Sequence, residues 1–280
     1  MMDTDYFKTS SFQEIERNAF SSIQRIFPCE DDLLDKIPME KIVSCFKNNL
    51  KKSSHPFLIR IVGQSGSGKS TQLFPALQQA LGSDLYVKIN VGAFAVFHPK
   101  YDFFQEKDPG QMREKTNGFA LRALVLFYKY CILNCINVVL DMTLLEPEID
   151  LYLMTLAKKM GYQIQMHILC VPKKVSDTFI RLRQKETGRH VWLSSSHYFF
   201  SALLPCLKAL TCSSLFCKQD RLILWTHYLG RPLKQTHLAN HNAVCVLQRY
   251  QAGSFCIKNP KNLLKAKRYW MKLFVGELYV

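Results

Sequence analysis

The chain has 280 residues, of which 48% are hydrophobic, and its formal net charge at pH 7 is +15. This length accommodates one large α/β domain, with or without a helical appendage, and the apolar fraction is typical of a globular core. The composition excludes a membrane-spanning helix, because the most apolar stretch, residues 119–140, is interrupted by Arg122 and Lys129. The start of the chain is acidic and lacks the apolar segment of a secretory signal, so we expect a cytoplasmic protein without membrane attachment.

Residues 1–56 are predicted to form a helical N-terminal extension. Apolar residues recur at the spacing of an amphipathic helix, at Phe20, Ile23, Ile26 and Phe27. The polar segment 53–56 ends in proline and separates this extension from the strand that follows.

The most informative motif follows a short apolar strand predicted at residues 57–62. Residues 63–70 read G-Q-S-G-S-G-K-S and match the phosphate-binding P-loop at every fixed position. The glycines let the backbone point its N–H groups at phosphate oxygens, Lys69 can reach the β- and γ-phosphates, and the Ser70 hydroxyl can bind Mg²⁺. The motif therefore predicts binding of a nucleotide such as ATP together with Mg²⁺. The predicted nucleotide-binding residues are Gly63, Gln64, Ser65, Gly66, Ser67, Gly68, Lys69, Ser70 and Thr71.

The P-loop is predicted to lead into a helix over residues 71–81. The N-terminus of this helix would add its partial positive charge to the phosphate site. Pro75 lies inside the predicted helix. If Pro75 is beyond the first turn, we expect a kink or a cost of about 3 kcal/mol, because proline removes a backbone hydrogen bond.

Strands and helices alternate in the rest of the chain. Strands are predicted at 85–91, 137–141 and 162–171, helices at 119–133, 148–160 and 175–186, and a late hairpin at 222–228 and 233–236. This alternation predicts a mainly parallel sheet with right-handed crossovers, in a three-layer α/β fold of the P-loop NTPase type. We assign the fold to a domain at 57–236, whose ligands are expected at the carboxyl ends of the strands.

Asp141 closes the apolar strand predicted at 137–141. In nucleotide-binding domains, a carboxylate at such a strand end orients Mg²⁺ or one of its waters. The alternative is an ordinary helix cap after a strand. We favour the metal-related role, because the P-loop already requires a Mg²⁺ partner.

Three arginines, Arg181, Arg183 and Arg189, lie on and just after the helix that follows the fourth strand. The polar stretch between Arg181 and Arg189 could move, and arginines on a movable segment can close over phosphates in the transition state. The alternative is a solvated helix face, which competes most strongly with a catalytic role for Arg183.

These residues, in this order, resemble the zeta toxin family, which consists of P-loop kinases of toxin–antitoxin systems. The resemblance covers roughly residues 57–236. Besides the P-loop, it rests on F-H-P-K-Y at 97–101, which is similar to the family's His-Pro-x-Tyr stretch. It also rests on V-V-L-D-M-T-L at 138–144, similar to the family's Glu-Gly-Thr-Leu-Arg segment, and on the Gly-Arg pair at 188–189.

The resemblance implies transfer of the γ-phosphate of ATP to a sugar hydroxyl of UDP-N-acetylglucosamine. By the same resemblance, Lys69 and Ser70 are expected to bind phosphate and Mg²⁺. Arg181 and Arg189 are expected to clamp the phosphates, with Arg183 as the alternative to Arg181.

The acceptor side of the site matches the family less completely. The resemblance implies that His98 and Thr143 contact the sugar nucleotide. The family has an arginine two residues after the threonine, whereas this chain has Leu145, which removes a substrate donor.

The catalytic base of the family is also missing. The family places an aspartate six residues before the histidine of His-Pro, and this chain has Gly92 there, with Asn90 two residues earlier. A base close to the attacking hydroxyl normally assists the reaction. Three alternatives stay open: Asp141 or Asp102 takes this role, the substrate is different, or the protein is a weak or inactive kinase with a regulatory or adaptor role.

A basic extension is predicted at 237–280. Ten Lys or Arg residues and no Asp or Glu occur from Arg221 to Gly276, most densely at 258–272. This charge suits an acidic partner, although a solvated basic face is an equally simple interpretation. The toxin resemblance favours an acidic antitoxin-like protein over nucleic acid, which is not excluded. Besides a small-molecule kinase and an ATP-binding regulatory or adaptor protein, a nucleic-acid-directed P-loop enzyme is therefore a third hypothesis.

Overall fold

The structure, a computed structural model, describes residues 7–29, 33, 36–81, 85–171, 173–187, 193–213, 215, 220–226 and 234–238. The predicted basic extension, apart from its first two residues, and Arg189 lie outside these ranges. No helix within the described ranges is both long and apolar enough to cross a membrane.

Helices and strands alternate along the chain, as the sequence predicts. The strands are β1 (Phe57–Val62), β2 (Val87–Asn90), β3 (Val138–Asp141), β4 (Gln163–Cys170), β5 (Arg221–Thr226) and β6 (Lys234–Leu238). The helices are α1 (Ser10–Ile26), α2 (Met39–Phe46), α3 (Phe74–Leu81), α4 (Val91–Ala95), α5 (Tyr101–Lys107), α6 (Met112–Leu133), α7 (Pro147–Lys159), α8 (Lys173–Thr187) and α9 (Leu193–Cys212). The sequence pattern did not predict α4, α5 or α9. The first two are short, and α9 contains Pro205, a residue that argues against a helix.

The strands form one sheet in the order β2-β3-β1-β4-β5-β6. Strands β1 to β5 are parallel, and β6 is antiparallel to β5. The predicted three-layer α/β fold with a mainly parallel sheet is confirmed, and the β5–β6 pair corresponds to the predicted hairpin. Because β1 lies between β3 and β4, the P-loop that follows it leaves the middle of the carboxyl edge, where ligands bind in such sheets.

Side chains of β1 alternate between two apolar layers. Leu58 and Val62 belong to a large cluster with residues of α1, α6 and α7. Ile59 and Ile61 face the opposite side and belong to a smaller cluster with Leu77 of α3. This alternation is the period of a β-strand that is covered on both faces, as expected for a parallel sheet.

The N-terminal helix α1 shares the main core. Phe12 and Ile23 are fully buried. The Glu16 carboxylate accepts hydrogen bonds from Lys129 Nζ on α6 at 2.6 Å and from the Tyr152 hydroxyl on α7 at 2.7 Å. Helix α1 of the extension predicted at 1–56 therefore packs on the domain that follows it.

One buried ion pair crosses the main core. Arg60 of β1 and Asp150 of α7 form a salt bridge, and both side chains have zero exposure. The other Asp150 oxygen accepts the backbone N–H of Leu145 at 3.3 Å. Asp150 therefore connects the centre of the sheet to the segment that follows β3.

Candidate active site

The P-loop follows β1 and curls over the carboxyl edge of the sheet. Gly66 and Gly68 have φ angles of 74° and 92°, in the left-handed region that favours glycine. A Cβ atom on Gly66 would also lie 2.5 Å from the carbonyl oxygen of Ser176 on α8. Glycine at position 66 is therefore required both by the turn and by the close contact with α8.

Two side chains anchor the loop to its surroundings. Gln64 is 1% exposed, and its Nε2 donates to the carbonyl oxygen of Val171, just after β4, at 2.5 Å. The Ser176 hydroxyl on α8 donates to the carbonyl oxygen of Ser65. The loop is therefore held on the side of β4 and α8.

The helix after the loop begins with a wide turn over Lys69–Leu73. The N–H of Leu73 bonds the carbonyl of Gly68 at 3.4 Å, five residues back, in the pattern of a π-helix. Regular α-helix starts at Phe74, so Pro75 is the second residue of α3. The helical segment is continuous from Lys69, so Pro75 lies beyond its first turn, directly after a stretch in which the regular hydrogen-bond pattern is already interrupted.

Lys69 folds back onto the loop. Its Nζ donates to the carbonyl oxygens of Gly63 at 2.5 Å and Gln64 at 3.1 Å. Burial lowers the pKa of Lys69 from 10.5 to about 8, while the Asp141 carboxylate opposes this shift and the positive charges of Arg183 and Arg113 add to it. The ammonium is therefore buried near one carboxylate and two further positive charges, an environment suited to a polyanion together with its metal ion.

Ser70 and Asp141 meet at the carboxyl edge. The Ser70 hydroxyl lies 3.5 Å from Asp141 Oδ2, although the two residues are 71 positions apart. Asp141 is the last residue of β3 and pairs in register with Ile61 of β1 and Asn90 of β2. The parallel register thus brings the predicted metal ligand beside the P-loop. Asp141 is not a cap of α7, whose N-cap residue is Glu146.

The arginines of α8 lie on different faces. Arg183 is half-buried, and its charge acts on Lys69. Arg181 is exposed. Arg189 lies outside the described residues, so its predicted role stays a prediction. Of the two alternatives on α8, the geometry favours Arg183 as the one that faces the P-loop.

The acceptor-side residues are His98, Thr143 and Leu145, which differ in exposure. His98 is 5% exposed, its Nδ1 accepts the N–H of Lys100 at 3.0 Å, and its ring contacts Phe119 edge-on at 5.1 Å. The structure thus places His98 in the packed interior. Thr143 is half-buried two residues beyond β3, and Leu145 is 3% exposed within the core.

Gly92 occupies the first turn of α4 and is exposed. A Cβ atom there would lie 3.4 Å from the Asn90 side-chain oxygen, which accepts the Ala93 N–H and caps α4. A side chain therefore fits at position 92 with at most a small adjustment.

Two cations at this edge were not identified from the sequence. Arg113 lies in the first turn of α6, and its charge lowers the pKa of Lys69. The Lys88 ammonium sits 3.2 Å from the centre of the Phe74 ring, and its pKa is lowered by burial and raised by Asp141. Neither belongs to a motif, so only the fold could reveal them.

The Zeta toxin family profile matches residues 41–222, about two thirds of the chain. The chain belongs to this family. Family membership confirms the resemblance seen in the sequence and makes the protein a P-loop phosphotransferase by family. The match begins before the predicted domain boundary, within α2.

A chain from the PezAT toxin–antitoxin system of Streptococcus pneumoniae has a similar structure, with a TM-score of 0.66 and 19% identity, covering 88% of this chain and 97% of that chain. A chain of the AvrRxo1-ORF1:-ORF2 complex has a TM-score of 0.49 and 13% identity, covering 96% of this chain and 85% of that chain. A chain of the same complex with ATP has a TM-score of 0.48 and 14% identity, covering 92% of this chain and 85% of that chain. No curated protein sequence matches the chain. At these identities, the PezAT similarity shows the fold alone.

Proposed function

We propose that this zeta toxin family member is an ATP-dependent kinase that transfers the γ-phosphate of ATP to a hydroxyl of a small molecule. The proposed acceptor is a UDP-amino sugar such as UDP-N-acetylglucosamine. The observation that carries the proposal is the meeting of the P-loop with the β3 carboxylate, in which Ser70 Oγ and Asp141 Oδ2 lie 3.5 Å apart beside Lys69.

The loop fits a nucleotide phosphate. Gly66 and Gly68 adopt left-handed angles that curl the backbone into an anion-binding shape. The Ser67 hydroxyl is buried and has no hydrogen-bond partner among the described residues. A buried hydroxyl without a partner is costly, and a phosphate oxygen would supply one. We assign Gly63 to Thr71 to the phosphates of ATP.

The same edge fits Mg²⁺. A hydroxyl and a carboxylate are oxygen ligands of the kind that Mg²⁺ prefers. The 3.5 Å between Ser70 Oγ and Asp141 Oδ2 is near the distance of about 3 Å expected between neighbouring oxygens of an octahedral ion with bonds of about 2.1 Å. When bound, Mg²⁺ would supply positive charge that stabilises the transferring phosphoryl group.

The protein's own cations are proposed to position the phosphates. Lys69 exchanges its two carbonyl partners in the loop for phosphate oxygens, because charge-assisted hydrogen bonds are the stronger ones. Arg183, or Arg181 after rearrangement, together with Arg189, is proposed to clamp the phosphates. Guanidinium groups suit this role because they bind oxygen pairs in a fixed geometry.

The acceptor hydroxyl is proposed to approach between Asn90 and Asp141, which end adjacent strands. Asp141 is then proposed both to bind Mg²⁺ and to accept the proton of the hydroxyl. Asp102, exposed in the first turn of α5, is the other candidate base. Thr143 and His98 are proposed to bind the acceptor, His98 from its buried position beside the site. Phosphoryl transfer depends mainly on positioning and charge, so the loss of the family's base is expected to slow the reaction and need not abolish it.

The direct test is phosphate transfer from γ-labelled ATP with Mg²⁺ to a panel of UDP-sugars and nucleosides. We expect label on a UDP-amino sugar, and we expect Lys69→Ala to abolish it. Ser213→Ala is a matched control, since its hydroxyl bonds the Leu210 carbonyl near the end of α9, outside the P-loop. Label on no acceptor would contradict the proposed reaction.

A second candidate is an ATP-binding protein with lost catalysis and a regulatory or adaptor role. The observation that favours it is Gly92, which offers no proton acceptor at the position of the family's base. This candidate predicts ATP affinity that depends on Lys69 without transfer to any acceptor. Calorimetric titration with ATP beside the transfer assay separates the two candidates.

We also propose an acidic protein partner of the antitoxin kind. The support is the excess of positive charge, with ten basic and no acidic residues from Arg221 to Gly276. The similar PezAT structure comes from a toxin–antitoxin system. Nucleic acid is the competing partner, and its salt-dependent binding distinguishes it.

A further inference from the structure

One buried hydroxyl joins α8 to the P-loop. Ser176 is 1% exposed, and its Oγ donates to the carbonyl oxygen of Ser65, 111 positions earlier in the sequence. A serine on a helix more often bonds a carbonyl of its own preceding turn or water. Here the hydroxyl instead connects the phosphate loop to a helix from the other half of the chain.

The same face of α8 carries Ile180 and Arg183, four and seven residues after Ser176. Residues at these spacings lie on one side of a helix. Ile180 is 1% exposed, and its Cγ1 would lie 2.9 Å from a Cβ on Gly66. The Ser176 carbonyl would lie 2.5 Å from the same atom. This face of α8 therefore rests directly on the backbone of the loop at position 66.

Arg183 completes this face at the phosphate end. Its charge acts on Lys69, whereas Arg181 projects from α8 as an exposed side chain. Because a helix is stiff over two turns, the position of Arg183 depends on how the Ser176 end of α8 is seated. The contact between Ser176 and Ser65 fixes the end of α8 from which the position of Arg183 follows.

We propose that Ser176 is a positioning residue, which seats α8 on the P-loop so that Arg183 reaches the terminal phosphate of ATP. The inference rests on the proposed function, in which Lys69 meets the β- and γ-phosphates. Ser176 itself touches no phosphate. Its effect is therefore expected to be larger for ligands that carry a γ-phosphate than for ADP, because ADP depends on the loop that Ser176 contacts but not on Arg183.

The test compares the affinity of the full-length protein for ADP and for an ATP analogue with a non-hydrolysable β–γ bridge, by calorimetry with Mg²⁺. We expect Arg183→Ala to weaken binding of the analogue by about 10- to 100-fold, as for loss of a charged hydrogen bond. Binding of ADP should change little. Ser176→Ala is expected to reduce the preference for the analogue by about fivefold. Ser176→Thr, which keeps a hydroxyl, should retain it.

Two controls and a double variant make the result specific. Ser213→Ala removes a comparable bond from hydroxyl to backbone near the end of α9, and Lys185→Ala removes an exposed charge from α8. Both should leave the preference unchanged. Ser176→Ala combined with Arg183→Ala should be no worse than Arg183→Ala alone, because both act through one group.

The inference is overturned if Ser176→Ala weakens ADP and the analogue equally, because the hydroxyl then only stabilises the fold. Additive losses in the double variant would also contradict it. If the unmodified protein binds neither ligand in a manner that depends on Lys69, the proposed function fails and the inference fails with it. This result is distinguishable from the first two, in which binding to the unmodified protein is intact.

Discussion

Binding of ATP should weaken as the pH rises above about 8, because Lys69 loses its proton more easily than an ordinary lysine. In the protein without nucleotide, burial lowers the pKa of Lys69 from its ordinary value of 10.5 to about 8. Phosphates favour the charged ammonium and raise this pKa in the complex. Binding at high pH must therefore return a proton to Lys69, and the affinity follows the fraction of Lys69 that is already protonated.

The magnitude follows from that pKa. With a pKa of about 8, the protonated fraction falls from about 0.76 at about pH 7.5 to about 0.03 at about pH 9.5. ATP affinity should therefore drop by about 25-fold across this range, which corresponds to about 1.9 kcal/mol. An unperturbed lysine with a pKa of 10.5 would lose only about 10% of its charge.

Calorimetry with ATP and Mg²⁺ over this pH range measures the effect. Repeating the titrations in buffers of different ionisation enthalpy should reveal uptake of nearly one proton at the alkaline end. Lys69→Arg is the matched variant, because its guanidinium stays charged and its affinity should not change with pH. Lys88 also has a lowered pKa, so Lys88→Arg tests whether that residue contributes. A flat profile in the unmodified protein, or an equal slope in Lys69→Arg, would refute the reasoning.

Other predictions concern the core, the base and the partner. Asp150→Ala should destabilise the fold by about 3–5 kcal/mol, because it leaves Arg60 buried without its carboxylate. Thermal unfolding should then shift down by about 6–20 °C, and the double variant Arg60→Met with Asp150→Leu should recover most of the loss; equal stability of the single variant would contradict the ion pair's role. Asp141→Asn should lower phosphate transfer at least tenfold at unchanged melting temperature, and unchanged turnover would count against its metal role. Gly92→Asp should raise transfer to UDP-N-acetylglucosamine by about 100-fold, as general base catalysis can; no gain with any UDP-sugar would remove support for the family's chemistry. Titration with duplex and single-stranded DNA at two salt concentrations should show weak binding that disappears near physiological salt, whereas tight binding that persists would assign the basic stretch 258–272 to nucleic acid.

Local sequence patterns were sufficient to predict the phosphate loop and the fold class. The P-loop residues are consecutive, and their turn depends on glycine, so residues 63–70 identify the motif without tertiary information. The strands were also predictable, because an apolar run covered on both faces is typical of a parallel sheet. The predicted strand at 57–62 has the same bounds as β1.

Tertiary structure alone decided which distant residues meet at the loop. Asp141 reaches Ser70 because β3 pairs with β1 in parallel register, which no local pattern specifies. Arg183 rather than Arg181 faces Lys69 because Ser176 and Ile180 define which side of α8 rests on the loop. Local periodicity predicts a helix, but the side of the helix that meets a partner depends on packing between segments far apart in the chain. The burial of Lys69 and the charges around it come from the same packing, so its lowered pKa is a property of the fold rather than of the motif.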